Sequence, residues 1–538
     1  MITDELMNQT LNVIAQNWRN NDLFSLCNCK LPLNPEQFEE LFSDKRFREK
    51  YSDCKLSKKF RKLLHPFFDK SEKEQKKEIY CKVEVDNSEP ENGRYSLFAI
   101  TGEMLDVDLA YYDVEPLNFL KKNYISMLDL LYKPYLYELV FKCSINELNN
   151  LVVRDESNRG FKLSSGVWCK VTIEPARENN SEGDRVESQR VEGTLWYSAS
   201  KPDYEKVLIS EISEAEPVFL TSYNKLKLSQ NNVDYCINSN TVKQMYLDRL
   251  FHDVTKSRIR VMRVGEANAV YISNDCQTSN NSIEKRHFAF DLGLPTPGNI
   301  IENDKVATGI IDNADTKIMH STFGKPEVLI ISHWHSDHFN GIYVLHRDMF
   351  FGTNKMIVIA PRYIVNSDNY ELTNRLIKFL IKKGSIIFVD DNFEYGDSTN
   401  NYYFRLMRVN LKNKNYNENC FVLRINKTLL AGDCDYNAWP DELFKDDIGN
   451  NVKKIDNIII PHHAALHNIQ DITNKITAIM SSTPQKAIAC VGYNTYGDGD
   501  PAKCHPAKSV LKAYANIKFK VQRTDDSAIK SIDFAFDA

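Results

Sequence analysis

Within six residues the chain places three imidazoles and a carboxylate, His333, His335, Asp337 and His338, just after the apolar run Ile330-Ile331. Ring nitrogens and carboxylate oxygens are donors for zinc and other first-row divalent ions, and a loop at a strand end is a place where such donors converge. On an extended segment His333 and His335 project to one side, while the turn through Asp337 and His338 directs those two to a neighbouring ion. Two further apolar runs end in comparable residues. Leu429-Leu430-Ala431-Gly432-Asp433 ends in a carboxylate, and Ile458-Ile459-Ile460-Pro461-His462-His463 in a histidine pair. Cys504-His505-Pro506 adds a further imidazole. An imidazole of near-neutral pKa can protonate a leaving oxygen or contact a phosphoryl oxygen.

These residues need elements that hold them. From about Tyr235 onward, Arg258–Val264, Ala269–Ile272, Phe288–Gly293 and Val328–Ser332 read as strands and Leu372–Lys383 as a helix, which predicts a layered α/β domain over 235–538. The preceding residues 1–230 read as an α+β accessory region of one or two modules, 1–150 and 151–230. Helical spacing in Phe38, Leu41 and Phe42 and in Phe60, Leu63, Leu64 and Phe67 surrounds the basic run Lys55–Lys62. A period of two follows in Tyr80–Val85 and Arg94–Thr101, flanking the hairpin signal Asn92-Gly93. Leu117–Leu151 reads as a helical block, and Val167–Glu174, Val191–Ser198 and Val207–Ile212 as a second β block interrupted by the polar loop Pro175–Gln189. Cys81-Lys82-Val83 is echoed by Cys169-Lys170-Val171, which raises a duplicated module, although chance similarity is the simpler account.

The sequence resembles the metallo-β-lactamase superfamily, whose signature is His-x-His-x-Asp-His. Arg263-Val264-Gly265-Glu266-Ala267-Asn268-Ala269 and Phe290-Asp291-Leu292-Gly293 look like the opening strands of that fold. The likeness is strongest to the branch containing the hydrolase domain of the competence DNA-uptake channel, and spans roughly the last 280 residues. It implies an αββα sandwich, with Asp291 supporting the site and Asp433 bridging two cations through its two oxygens. One of His462 and His463, with His463 favoured, would be the remaining ligand of the second ion. Ala464 stands where the pattern has glycine. The resemblance makes Asp337 and His505 catalytic candidates, since Tyr496-Gly497 followed by His505-Pro506 is similar to the branch's closing motif.

One departure matters. Superfamily enzymes usually supply a further histidine to the first ion between the signature and Gly-Asp, whereas that interval here holds only His346, too close after His338 to serve. Asn417-Glu418-Asn419-Cys420 resembles the Asn-x-Asn-Ser pattern of the DNA-uptake branch instead. The implied sets are His333, His335 and Asp433 for a weaker first site, and Asp337, His338, Asp433 and His463 for the second, loaded with Zn²⁺ or Mn²⁺.

Composition limits the remaining choices. A chain of 538 residues with 68 Lys+Arg against 73 Asp+Glu, net −5, is not a uniformly basic DNA-coating protein. Hydrophobic residues at 42% suffice for packed cores, and no apolar run reaches the length of a membrane span. The twelve cysteines form no Cys-x-x-Cys and the amino terminus carries no secretory pattern, so a cytoplasmic protein without membrane partners is expected. Two cations sharing a hydroxide imply a hydrolase. The leading expectation is a phosphodiesterase or nuclease acting on nucleic acid or nucleotide, with Lys412, Lys414, Lys427 and Lys503 as candidate phosphate neighbours. The alternatives are cleavage of a carbonyl ester, amide or phosphocholine-type ester, or a non-catalytic assembly role in a multi-component system such as bacterial defence. Residues 1–230 are the expected docking surface for a protein partner.

Overall fold

The computed structural model describes residues 4–18, 37, 76–87, 93–112, 136–153, 163–164, 166–176, 190–198, 202–262, 264, 267–293, 326–344, 355–366, 371–397, 403–410, 419–445, 454–466, 469–491, 506–524 and 531–537. The chain divides into two compact units. One comprises Met1–Leu228 with Phe351–Thr353 and Val365–Lys382, and the other Ser229–Phe350, Asn354–Ile364 and Lys383–Ala538. Among the described residues no helix is long and apolar enough to cross a membrane.

The first unit is built on β1 (Lys77–Asn87), β2 (Gly93–Ile100), β3 (Leu136–Cys143), β4 (Trp168–Pro175), β5 (Val191–Ser198) and β6 (Pro202–Glu214). They close an antiparallel barrel in the order β1-β2-β3-β5-β6-β4. Alternation fills it: Ile79, Cys81 and Val83 on β1, Cys169, Val171 and Ile173 on β4, and Leu139, Phe141 and Cys143 on β3 are all buried. The expected helical block therefore contains a strand, β3, followed by the helix Ile145–Leu151. The alternating apolar residues of β3 are satisfied by ladders to β2 and β5, and pairing overrides local helical preference. The two Cys-Lys-Val segments pair antiparallel with Cys81 opposite Cys169. β1 pairs with β2, but β4 pairs with β6 and not β5, so the strand order does not repeat as a tandem duplication would.

The helix Glu371–Lys382 belongs to this unit and carries charge into it. Glu371 accepts from Lys82 Nζ at 3.1 Å and from the Tyr223 hydroxyl at 2.5 Å, and Arg375 donates to Asp108 at 2.6 Å. The Arg375 guanidinium also lies 5.4 Å from the centroid of the Phe98 ring. The helical stretches and basic run expected before residue 76, Asn92, and most of the polar loop between β4 and β5 lie outside the described residues.

The second unit is a sandwich of two seven-stranded sheets. The first has the order β12-β11-β10-β9-β8-β7-β20 and the second β13-β14-β15-β16-β17-β18-β19. Their strands are β7 (Val254–Met262), β8 (Ala269–Gln277), β9 (Ile283–Leu292), β10 (Val328–Ile330), β11 (Ile357–Pro361), β12 (Ile386–Val389), β13 (Glu394–Asp397), β14 (Phe404–Asn410), β15 (Asn419–Ile425), β16 (Thr428–Leu430), β17 (Asn457–Ile459), β18 (Lys486–Ala489), β19 (Lys520–Arg523) and β20 (Ser531–Asp537). Inner faces meet in one core, with Phe288, Phe290, Val328 and Ile330 against Phe404, Leu406, Phe421, Leu423, Leu430 and Ile459. The opposite alternation of the second sheet, Val422, Leu429 and Ile458, packs under the helices Ile469–Ile479 and Lys508–Asn516 through Ile472, Ile476, Val510 and Tyr514. The second helix starts after Ala507, where the family's closing motif, followed by a helix, implies a start.

Candidate metal centre

Short parallel strands end at one edge of the sandwich. β9 and β10 run parallel and deliver Asp291 and the segment after Ile330, while β16 and β17 run parallel in the other sheet and deliver Asp433 and the His462-His463 pair. A backbone bond from Phe421 N to Ser332 O, 2.8 Å, ties the two sheets beside the site. Close approach selects glycine twice. Gly432 adopts φ +54 and a Cβ there would come within 2.7 Å of Ser332 Oγ, while a Cβ on Gly293 would overlap the Asp337 carbonyl at 1.6 Å.

The imidazoles are oriented from behind. Asp291 is fully buried and accepts from Ser332 N at 2.6 Å, from Ser332 Oγ at 2.8 Å and from His338 Nδ1 at 2.8 Å. With its Nδ1 engaged, His338 turns Nε2 forward. His463 Nδ1 donates to the Cys490 carbonyl at 2.8 Å, which again leaves Nε2 facing the centre. Ser332 Oγ also lies 3.1 Å from His333 Nδ1. A supporting role for Asp291 is what the family resemblance implies. Ser332 was missed, although a small hydroxyl residue between the strand and the first histidine was a usable signal, and the Cys490 carbonyl left no trace in side-chain identities.

Two groups of donor atoms result, each with all its members within 4.8 Å of one another: Asp337, His338, Asp433 and His463 in one, His333, His335 and Asp433 in the other. In the first group His463 Nε2 is 2.9 Å from Asp337 Oδ2, and His338 Nε2 is 3.1 Å from Asp433 Oδ1. In the second, His333 Nε2 is 2.9 Å from His335 Nδ1 and 3.6 Å from Asp433 Oδ2. Donors about 2.0–2.2 Å from one tetrahedral ion stand about 3.3–3.6 Å apart; the 3.6 Å spacing matches such an edge, and the spacings of 2.9, 3.1 and 2.9 Å are a few tenths of an ångström shorter. His338 Nε2 and Asp433 Oδ1 are buried and make no hydrogen bond of proper geometry, although they lie near each other. Buried polar atoms are rarely left so, and a cation between them is the partner they fit.

Electrostatics point the same way. Burial, with His338 and His335 nearby, pushes the His333 pKa well below its ordinary value, and burial lowers His335 too. Burial also opposes charge on His338, but Asp433, Asp291 and Asp337 outweigh it and raise that pKa well above the usual range. His463 is pushed up to about 9, with Asp433 and Asp337 overcoming burial. Burial tends to raise the carboxyl groups of Asp337 and Asp433, yet His338 and His463 hold both below the ordinary range. The centre is thus a place where carboxylates persist in ionised form only next to positive charge.

His462 sits at the rim, about one-third exposed, with Nε2 3.9 Å from Asp433 Oδ2. Lys427 pairs with Asp456 at 3.3 Å. His505, Tyr496-Gly497, Lys412, Lys414, Lys503, His346, Asn417 and Glu418 lie outside the described residues, as do Arg263, Gly265 and Glu266 of the opening motif.

Two facing sheets, helices against the outside of the second, and a signature loop at the strand ends define the architecture of this unit. It is a metallo-β-lactamase-like α/β sandwich. No protein-family pattern matches the chain, and no curated protein matches it. Among solved structures it is similar to the metallo-β-lactamase fold protein YhfI from Bacillus subtilis, at 10% identity over 52% of this chain and 100% of that one, with a TM-score of 0.28. It is similar to a long form RNase Z from yeast at 14% identity over 67% of this chain and 53% of that one, TM-score 0.26. The metallo-β-lactamase FIM-1 from Pseudomonas aeruginosa, in its mono-zinc form, follows at 9% identity over 30% and 64%, TM-score 0.16. At such scores these likenesses carry no argument about the site, and the centre is read from its own residues.

Proposed function

We propose that the metallo-β-lactamase-like unit is a metal-dependent hydrolase acting on phosphodiesters of nucleic acid or nucleotides. The observation that carries the reading is a single buried carboxylate, Asp433, whose two oxygens face two separate groups of imidazoles. A pair of divalent cations, Zn²⁺ or Mn²⁺, supplies Lewis acidity and acidified water when bound. His333, His335 and Asp433 would hold one, and Asp337, His338, Asp433 and His463 the other. Asp433 shares its negative charge between them, which offsets their mutual repulsion. Asp291 and the Cys490 carbonyl fix the ring tautomers of His338 and His463, so that the donors need no reorganisation. His505 is assigned the proton for the leaving oxygen, a task suited to an imidazole near neutral pKa. An anionic electrophile suits a centre designed to concentrate positive charge, and the resemblance to the DNA-uptake branch supports the phosphodiester class.

The test is a substrate panel. Purified full-length chain with Zn²⁺ or Mn²⁺ is incubated with single-stranded DNA, duplex DNA, RNA, cyclic nucleotides and chromogenic carbonyl esters, with bound metal quantified in the same sample. Turnover of a phosphodiester that disappears on chelation is expected. Metal-dependent turnover of carbonyl esters alone would replace the substrate class, and a folded chain that takes up no metal would overturn the hydrolase reading in favour of an assembly role.

A further inference from the structure

We infer that both members of the His462-His463 pair are ligands, and that His462 supplies a third ring nitrogen to the first ion. The inference rests on the metal reading above and gives the origin of the donor that the interval between His338 and Asp433 was expected to provide. The two oxygens of Asp433 divide the surrounding imidazoles. Oδ1 faces His338 Nε2 at 3.1 Å and His463 Nε2 at 3.7 Å, whereas Oδ2 faces His333 Nε2 at 3.6 Å and His462 Nε2 at 3.9 Å. Adjacent residues thus flank opposite oxygens of one carboxylate.

The backbone explains how neighbours in sequence reach separate sites. His462, His463 and Ala464 have φ of 50°, 50° and 59°, three successive L-residues in the left-handed region. Each such residue costs about 1–2 kcal/mol, and the conformation persists only where its surroundings enforce it. Here His462 N donates to the Gly432 carbonyl at 3.1 Å, fastening the turn to the residue beside Asp433, and Ala465 N closes on the His462 carbonyl at 2.7 Å. The turn directs the His463 ring inward, where it is 3% exposed, and leaves His462 at the rim on the Oδ2 side.

Donor counting gives this placement its meaning. Asp337, His338, Asp433 and His463 already offer four donors to the second ion, all within 4.8 Å of one another, while the first ion has His333, His335 and Asp433 alone. Zinc takes four donors in closed sites and three plus an open position in catalytic ones. With His462 the first ion has three nitrogens and a carboxylate oxygen. As the ring stands, His462 lies outside the group whose donors are all within 4.8 Å of one another, and rotation about the side-chain bonds of this partly exposed ring is what would carry Nε2 from 3.9 Å off Asp433 Oδ2 to the roughly 3.3–3.6 Å edges of a tetrahedral site. Because one of its donors is at the surface, the first site is the weaker of the two and the last to fill.

The test reads metal binding rather than turnover. Full-length chain is titrated with Zn²⁺ by calorimetry, zinc retained after gel filtration is counted, and the Co²⁺ absorption spectrum is recorded. Wild type should bind two equivalents. His462→Ala should weaken only the weaker equivalent, by roughly tenfold or more, whereas His463→Ala should weaken the tighter one. His462→Glu, whose carboxylate reaches about as far as an imidazole, should retain the second equivalent with an altered Co²⁺ spectrum, and it carries the test if the alanine variant fails to fold. Unchanged affinities in His462→Ala, loss of the same equivalent in both alanine variants, or an unaltered spectrum in His462→Glu would overturn the assignment. A wild-type chain that binds no zinc is a separate result and sinks the metal reading itself.

Discussion

Each unit buries a cluster of charged side chains, and the two clusters are finished differently. In the barrel unit Glu371 is met by Lys82 and Tyr223, and Asp108 by Arg375, so that opposite charges close on one another. In the sandwich, Asp337, Asp433 and five imidazoles gather at strand ends, with His338 Nε2 and Asp433 Oδ1 buried and without a hydrogen bond. The Lys82–Glu371 and Arg375–Asp108 pairs set opposite charges against each other and act as struts. Open, convergent donors are stable only with something between them. The contrast separates structural charge from binding charge without any appeal to residue type, since both clusters use ordinary acids and bases.

The strongest way to break this comparison is at the shared carboxylate. Asp433→Asn keeps the shape and removes the charge that both donor groups use, so both metal equivalents should weaken. Turnover should fall by more than the roughly 100-fold expected at the upper end for a residue that merely orients a ligand. Elemental analysis together with kcat/KM checks this. Retention of both equivalents would mean that Asp433 is not shared. The corresponding change in the barrel is Glu371→Ala, which removes the carboxylate that Lys82 Nζ contacts at 3.1 Å and should destabilise by about 3–5 kcal/mol in denaturant unfolding. Metal content per folded chain should stay unchanged. Replacing Lys82 and Glu371 together by Met and Leu should recover most of that loss, because a closed pair can be exchanged for apolar packing. If the double variant is as unstable as Glu371→Ala, the pair is not a self-contained strut.

A supporting residue should show an intermediate effect. Asp291→Asn keeps the shape but replaces one of the two accepting oxygens by an NH2 donor and removes the charge that holds the Nδ1 proton of His338, and metal affinity should drop about 10–100-fold. Calorimetric titration against wild type measures it, and an unaltered affinity would show that Ser332 alone orients the ring.

The difference between the clusters also bears on what could be read in advance. The second unit is legible because its candidate ligands end short apolar strands, and both strand and donor leave local marks: Ile330-Ile331 before His333, Leu429-Leu430 before Asp433, Ile458-Ile459 before His462. The barrel cluster leaves no comparable mark. Lys82 and Glu371 are 289 positions apart, and nothing local distinguishes them from surface charges. β3 was hidden for a related reason, since Leu136–Cys143 becomes a strand through ladders to partners distant in the chain. Nor could the sequence say that His462 and His463 flank different oxygens, because that depends on a left-handed turn at residues that rarely adopt one.

The barrel offers a pH test of its own. Lys378 donates to the Leu226 carbonyl and sits 4.5 Å from the centroid of the Tyr112 ring, and burial lowers its pKa to about 8 from an ordinary 10.5. Between pH 8 and 10.5 the unfolded chain holds this proton more tightly than the folded one, so the contribution of Lys378 to stability rises with pH across that window and is least below it. Lys378→Met removes the titration. Its stability advantage over wild type should therefore be greatest near pH 7 and shrink towards pH 10 in parallel denaturant series. A gap that widens over the same range would show that the ammonium is stabilised and not strained by its surroundings.

The smallest expected effect tests whether the left-handed turn is enforced by its neighbours or by its residues. Ala464, fully buried at φ 59°, occupies a conformation that glycine adopts freely, so Ala464→Gly relieves about 1–2 kcal/mol of backbone strain. Against this stand about 0.8 kcal/mol for the lost methyl burial and about 0.5–1 kcal/mol for the greater freedom of an unfolded glycine. The terms nearly cancel, and unfolding stability should move by less than about 1 kcal/mol, with both zinc equivalents retained. A larger loss accompanied by a change at only one zinc equivalent would mean that the methyl group, packed among Ile458, Ile460 and Val491, is what divides the two imidazoles between the oxygens of Asp433. The turn's backbone would then be a consequence of that packing and not its cause.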